Sequence, residues 1–301
     1  MNDTAIIIFC YDRPQFAKPL IREVVSLSDL EIFVSLDYPT SDKSDRNNTD
    51  IKNFVLSLYE NHKVNLINYE RHLGIENHIF STVSELFKKY KKLIIIEEDS
   101  FPSKDAIKFL ERCLNKFESE PSIFHISAYT CVPDHLINSS SSIARLSKYP
   151  SSYMWATWEN RWVKYDRHFI NKVETKLNIG NGLISNLIWH LNFYLAKNRI
   201  IDSWATRWVA SIWQNQGYCV SPNQNLVNYL GNANGTHTFM KPRYVELPTQ
   251  SIDLERLGDL SINPDAECWT SRNVYRADFS GITIRLLADV FKIAKFKLFN
   301  F

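Results

Sequence analysis

A chain of 301 residues with 45% hydrophobic and 13% aromatic residues can bury a sizeable core, which excludes disorder as its default state. A formal net charge of +2, with no long basic stripe interleaved with aromatics before the tail, gives no sign of a nucleic-acid partner. Cys10, Cys113, Cys131, Cys219 and Cys268 are widely spread, odd in number and contain no CxxC pair, so neither a disulfide framework nor a zinc knuckle is indicated. The first residues, Met1-Asn2-Asp3-Thr4-Ala5, lack a basic segment and lead into an apolar run too short for a signal peptide, so a reduced, cytosolic protein is expected.

In chain order, residues 5–10 read as a buried strand and 16–27 as a helix with Leu20, Val24 and Leu27 on one face. A second strand over 31–36 ends at Asp37. A polar loop over 38–48, a helix over roughly 50–60 and a third strand over 64–68 follow. After Glu70-Arg71-His72-Leu73-Gly74, the residues Ile79, Val83, Leu86, Phe87 and Tyr90 recur at helical spacing. That helix leads into Leu93-Ile94-Ile95-Ile96-Glu97-Glu98-Asp99, a short aliphatic run ending abruptly in three acids. The run suits a strand buried on both faces. Ligands of open α/β sheets bind at the carboxyl ends of such strands. Three carboxylates there repel one another unless a cation or hydrogen-bond donors sit among them, and hard oxygen ligands suit Mg²⁺ or Mn²⁺. An acidic turn capping the next helix is the competing reading. Ser103 is the expected N-cap of that helix, which carries Ile107, Leu110, Leu114 and Phe117, and 123–127 is a further strand. The alternation of strand and helix predicts a mainly parallel, Rossmann-like sheet flanked by helices. Gly74 is the first glycine of the chain, so neither a dinucleotide fingerprint nor a P-loop can follow the first strand.

Beyond residue 129 the rhythm changes and aromatics become dense. Trp155 and Trp158 are expected on a loop, while Trp204, Trp208 and Ile212 fall at helical spacing. Each tryptophan serves either core packing or, through its flat face, a sugar ring. Residues 223–231 read as a strand and turn. The loop Asn232-Ala233-Asn234-Gly235-Thr236-His237-Thr238 has the composition of one that closes over a ligand. The stretch 241–278 is expected to be an irregular wrap. In the last twenty residues Leu286, Leu287, Val290, Phe291, Ala294 and Leu298 line one face, with Lys292, Lys295 and Lys297 mainly elsewhere. That pattern suits a basic amphipathic helix on an anionic membrane surface, or a helix docked on the body of the protein.

Six segments in order resemble GT-A fold glycosyltransferases, most closely the bacterial hemolytic-protein-like sugar transferases and more distantly N-acetylglucosaminyltransferase I. They are Ile8-Phe9-Cys10-Tyr11-Asp12-Arg13-Pro14, Arg71 with Leu73-Gly74, Ile96-Glu97-Glu98-Asp99, Trp155-Ala156-Thr157-Trp158, Ile201-Asp202-Ser203-Trp204 with Arg207-Trp208, and Thr236-His237-Thr238. The resemblance implies three parts: a nucleotide-sugar half over 1–128, an acceptor half over 129–245, and a wrap with the membrane-associating helix over 246–301. It implies that Glu97-Glu98-Asp99 is an Asp-X-Asp type motif, with Asp99 on Mn²⁺ or Mg²⁺ and Glu98 on the donor. Tyr11, Arg13, Asp37, Arg71, Glu97 and Thr236 would join Glu98 around the donor, and His237 would join Asp99 on the metal. Trp155, Trp158, Trp204 and Arg207 would face the acceptor.

Relatives commonly carry an acid directly after the tryptophan, where this chain has Ala205. That acid would be the general base of an inverting transferase. Three explanations stand: Asp202 takes the role, Ala205 is an inactivating substitution, or the chain does not invert. The implied function is transfer of a sugar from a nucleotide-sugar donor, UDP-linked by family tendency, to a glycan or lipid-linked oligosaccharide. This would serve cell-surface polysaccharide synthesis (O-antigen, capsule or lipopolysaccharide) on the inner face of a bacterial cell membrane. A non-catalytic glycan-binding protein is the alternative implied by Ala205.

Overall fold

The computed structural model describes residues 3–58, 64–137, 142–169, 182–231, 243–281 and 283. Thr4–Cys10 (β1) is apolar from Ala5 onward and buried at every residue, as a strand covered on both faces must be. It pairs in parallel with Glu31–Leu36 (β2) on one side and Lys92–Glu97 (β4) on the other, and Val64–Asn68 (β3) extends the sheet beyond β2. The crossovers are Pro14–Leu27 (α1), Asp42–Leu58 (α2) and Ile75–Leu86 (α3).

Past the acids, Ser100–Pro102 (β5) pairs antiparallel with Val227–Tyr229 (β10) as a separate two-stranded sheet. Ala106–Lys116 (α4) then leads to Ile123–Ser127 (β6), Ala144–Ser147 (β7) and Met154–Trp158 (β8). The short Glu159–Trp162 (α5), Leu183–Lys197 (α6) and Trp204–Gln214 (α7) precede Tyr218–Pro222 (β9). The eight-stranded sheet has the order β3-β2-β1-β4-β8-β6-β9-β7. Because β8 runs antiparallel to both β4 and β6, and β9 parallel to β6, the carboxyl ends of β1, β2, β3, β4, β6 and β9 share one edge. The expected α/β architecture, a mainly parallel sheet flanked by helices, is the one observed.

Strand alternation divides the core between the two faces of the sheet. Ile6, Ile8, Ile94 and Ile96 pack with Leu20, Ile21 and Val24 of α1 and with Phe109 and Leu110 of α4. Ile7, Phe9, Leu93 and Ile95 pack on the other face with Ile79 and Val83 of α3 and with Trp208 and Ile212 of α7.

Four expectations are corrected. α2 begins at Asp42, inside the stretch expected as loop, because Ser44 caps the turn from Ser41 and buried Asn48 donates to the Tyr11 and Asp37 carbonyls. Asp105, not Ser103, is the N-cap of α4, and the Ser103 hydroxyl is buried without a partner among the described residues. Trp155 and Trp158 lie on β8 at the centre of the sheet rather than on a loop. Burial between β4 and β6 makes this segment a strand although it shows no periodic face in the sequence. The wrap contains a helix, Pro264–Asn273 (α8), started by Asn263 accepting from the Ala266 amide with Pro264 in the first turn. Thr236, His237 and the amphipathic pattern over 286–298 lie outside the described residues. Among the described residues no helix is long and apolar enough to cross a membrane.

Candidate functional site

The carboxyl ends of β1, β2 and β4 bring Tyr11, Arg13, Asp37 and the three acids to one edge of the sheet. Pro14 starts α1 immediately beyond β1, which fixes Arg13 as its N-cap and leaves that side chain beside the β4 end. Arg13 Nε donates to Glu98 Oε1 at 2.5 Å and Nη1 to Asp99 Oδ2 at 2.8 Å. The Tyr11 amide donates to Glu98 Oε2 at 3.0 Å. Glu98 and Asp99 are both 4% exposed, so the guanidinium is what permits two adjacent buried carboxylates. Burial opposes the charge on Arg13, but Glu98 and Asp99 more than offset it and raise its pKa. Burial also pushes Glu98 up, against the pull of Arg13.

Two carboxylates keep unused capacity. Asp99 Oδ1 is buried with no partner among the described residues. Half-buried Glu97 is pushed up to about 8, first by burial and then by the charge of Asp99, with Arg13 opposing. Gly231 closes over this corner. A Cβ there would come within 2.5 Å of Asp99 Oδ2 and would overlap the Tyr229 hydroxyl, so only glycine lets the chain approach so closely. The Leu230 amide donates to the Asp99 carbonyl at 2.9 Å.

At the end of β2, buried Asp37 gathers the loop that follows β3. Its Oδ1 accepts from the Leu73 amide at 2.8 Å and the Tyr38 amide at 2.9 Å, and its Oδ2 from the Gly74 amide at 3.0 Å. His72 Nδ1 lies 3.0 Å from Oδ2. Gly74 has φ +73 at the N-cap of α3, a left-handed value that favours glycine. Arg71 is exposed on this loop. Asp202, exposed just before α7, places Oδ2 3.9 Å from where a Cβ on Gly74 would stand.

The expected acceptor residues are corrected. Trp155 is fully buried, stacked between His125 at 4.9 Å and Trp204 at 5.4 Å. Trp158 donates to the Leu114 carbonyl, and Trp204 is 4% exposed. Arg207, 2% exposed, binds the carbonyls of Ala196, Arg167 and Ser203 and pairs with Glu76 at 3.1 Å, which ties α7 to α6 and α3. None of the four presents a face to a ligand. Ala205 is half-buried against the same aromatic cluster. Sequence reasoning missed Tyr229 and Gly231. A glycine in a chain with only eight was the available signal.

Farther along the same edge lies a cavity of about 230 Å³ beyond the ends of β6 and β9, lined among others by Thr130, Arg145, Ser151, Tyr153, Tyr244 and Tyr275. Tyr153 joins it to the acids by stacking on Tyr229 at 3.9 Å.

The residues present fit a divalent cation in one respect: Asp99 Oδ1 is a buried anionic oxygen with nothing to bind among the described residues, and Mg²⁺ is commonly held through one or two carboxylates plus substrate phosphates. No group of three His, Cys, Asp or Glu side chains arranged to hold a metal occurs among the described residues, so a full protein cage is excluded there.

No family model matches the chain, and no curated protein matches it either. Solved structures resemble it distantly. A mannosyltransferase from Pyrobaculum calidifontis in complex with GDP-Man and Mn²⁺ is 11% identical, with a TM-score of 0.39 over 71% of this chain and 69% of that one. A mannose-1-phosphate geranyltransferase from Thermus thermophilus is 10% identical, with a TM-score of 0.40 over 80% of this chain and 81% of that one. S. aureus TarS is 11% identical, with a TM-score of 0.35 over 75% of this chain and 60% of the TarS chain. Likeness at this level carries no argument about activity.

Proposed function

We propose that this protein is a GT-A type glycosyltransferase that uses a nucleotide-sugar donor. The observation that carries the reading is the acidic corner at the end of β4, where Asp99 Oδ1 lacks a partner among the described residues beside the Arg13-bound Glu98 and the Gly231 approach. An orphaned buried carboxylate oxygen at the carboxyl edge of a parallel sheet is what a cation-bridged diphosphate needs. Asp99 would hold the Mn²⁺ or Mg²⁺, which when bound neutralises the leaving diphosphate. Tyr11, Asp37 and the loop over 71–74, on which Arg71 is exposed, would take the nucleoside.

Asp202 is the proposed general base. Its exposed carboxylate would accept the proton of the acceptor hydroxyl as that oxygen attacks the anomeric carbon. Ala205 offers no proton acceptor and sits against the aromatic core. An inverting outcome follows from a base on the face opposite the leaving group. The basic amphipathic pattern over 286–298 supports a peripheral place on an anionic membrane and, with it, a lipid-linked acceptor of cell-surface polysaccharide.

Thermal shift of the full chain with UDP- and GDP-sugars, each with and without Mn²⁺, tests the reading. One donor is expected to raise the Tm only with the metal, and Asp99→Asn should abolish the rise. Donor stabilisation that survives Asp99→Asn would sink the assignment. With the donor identified, Asp202→Asn is expected to lower the transfer rate by about 10²–10⁴ with donor binding intact, the range for a positioned base.

A further inference from the structure

Arg145 is 5% exposed on β7 and lines the cavity beyond β6 and β9. Among the described residues its hydrogen-bond partners are all neutral. Nη1 donates to the Pro222 carbonyl at 2.7 Å and to Asn223 Oδ1 at 3.1 Å, and Nη2 donates to Thr130 Oγ1 at 3.1 Å. Nε is buried without a partner among the described residues. A guanidinium has five N–H donors, so among the described residues these three bonds leave Nε–H and one N–H of Nη2 uncommitted. Those two nitrogens bound the edge that grips a carboxylate or phosphate in bidentate fashion. Glu267, whose charge acts on Arg145, is hydrogen-bonded elsewhere: it accepts from Ser147 Oγ at 2.6 Å and from the Lys148 amide at 2.9 Å. Glu246, on the Tyr129 side, accepts from the Tyr129 hydroxyl at 2.8 Å. Burial lowers the pKa of Arg145 to about 10, although the charge of Glu267 opposes the shift.

A second unpartnered group belongs to the same cavity. Ser151 Oγ is buried without a partner among the described residues, while the Ser151 backbone is held by Ser127 and His125. Around these polar points the wall is aromatic, with Tyr153, Tyr244 and Tyr275 presenting ring surface suited to the C–H faces of a sugar. The Tyr153–Tyr229 stack connects this wall to the acidic corner. A buried cation with spare donors, a spare hydroxyl and an aromatic wall make a site for a negatively charged sugar.

We propose that this cavity is the acceptor subsite and that it takes an oxyanion carried by the acceptor glycan, a carboxylate or a phosphate, gripped by Nε and Nη2 of Arg145 and by Ser151 Oγ. The acceptor role rests on the transferase reading above; the oxyanion site itself does not.

The test uses the full, metal-free chain at constant ionic strength, titrated with glucuronate, glucose 1-phosphate and glucose and followed by calorimetry. At least one anionic sugar should bind, and glucose should bind at least about tenfold more weakly, a gap equivalent to one decade of affinity. Arg145→Gln should weaken the anion by about the same factor, and Arg145→Lys should restore part of it, since a point charge lacks the bidentate fork. Asp99→Asn should leave it unchanged. Preference for glucuronate assigns an acidic sugar, and preference for glucose 1-phosphate assigns a phosphorylated one. Equal binding by wild type and Arg145→Gln, or loss in Asp99→Asn alone, overturns the proposal. If Arg145→Gln fails to fold, selenate soaked into wild-type crystals decides: an anomalous peak against Arg145 Nε supports the site, and its absence there overturns it. Anion binding with no donor binding would leave this site standing and refute the transferase reading separately.

Discussion

Arg13 shows how one side chain sets the state of an entire corner. It bridges Glu98 and Asp99, whose side chains are each 6% exposed, while its own retains 30%. Arg13→Met would leave two buried carboxylates uncompensated. A fully buried ion pair broken from one side costs about 3–5 kcal/mol, and the partial exposure of Arg13 reduces the expected loss to about 2–4 kcal/mol. Urea denaturation at neutral pH measures it. Adding Glu98→Gln should recover part of the loss, because the second variant removes one of the stranded charges. No recovery would mean that the packing of the Arg13 stem, not charge, carries the effect.

At the scale of elements, Asp37 does for the β3–α3 loop what Arg13 does for the acids. One carboxylate at the end of β2 holds the Tyr38, Leu73 and Gly74 amides and so fixes where α3 begins. Bonds to a charged acceptor contribute about 1.5–3 kcal/mol each at most, and their losses overlap, so Asp37→Ala should cost roughly 2–4 kcal/mol. Hydrogen exchange should localise the damage: the Leu73 and Gly74 amides lose protection while those of β1 and β4 keep theirs. Uniform loss of protection would place Asp37 in the global core instead. Helix α7 shows the same logic from the other side, since Arg207 bolts it to α6 and α3 through carbonyls and Glu76.

Across the whole molecule, the aromatic layer between the sheet and α7 is built around a neutral histidine. His125 Nδ1 accepts from Trp208 Nε1 at 3.2 Å, so the ring proton sits on Nε2 and is donated to the Ser151 carbonyl at 2.9 Å. Protonating Nδ1 would turn an acceptor toward a donor. Burial lowers the pKa of His125 to about 3, with the bond to Ser151 opposing. The unfolded chain titrates near the ordinary value of 6.5, so it binds the proton first as pH falls. Above that value the group has no effect on stability. Between about 6.5 and about 3 it destabilises the fold progressively. Nitrogen-15 NMR of the ring should find His125 neutral at pH 5. A His125 resonance charged at pH 5 would contradict this core.

Much of the sheet could be read directly from the chain. Strands at 5–10, 31–36, 64–68 and 123–127 and the helices beside them announce themselves, because apolar runs and helical spacing are local patterns. The acid triplet was legible for the same reason: a strand buried on both faces that ends in charge marks the carboxyl edge of a parallel sheet. The tryptophans could not be assigned this way. Trp155 shows the same local chemistry whether it faces a sugar or His125, and only the insertion of β8 between β4 and β6 settles it. The Arg145 cavity was invisible too, since it is assembled from β7, the segment after β6, the approach to β8 and the region of α8, which lie far apart in sequence. Composition and periodicity determined that this protein has a parallel sheet with an acidic edge, because both are properties of neighbouring residues. Which polar atoms stand buried without a partner depends on contacts between distant segments, and that only the tertiary structure could decide.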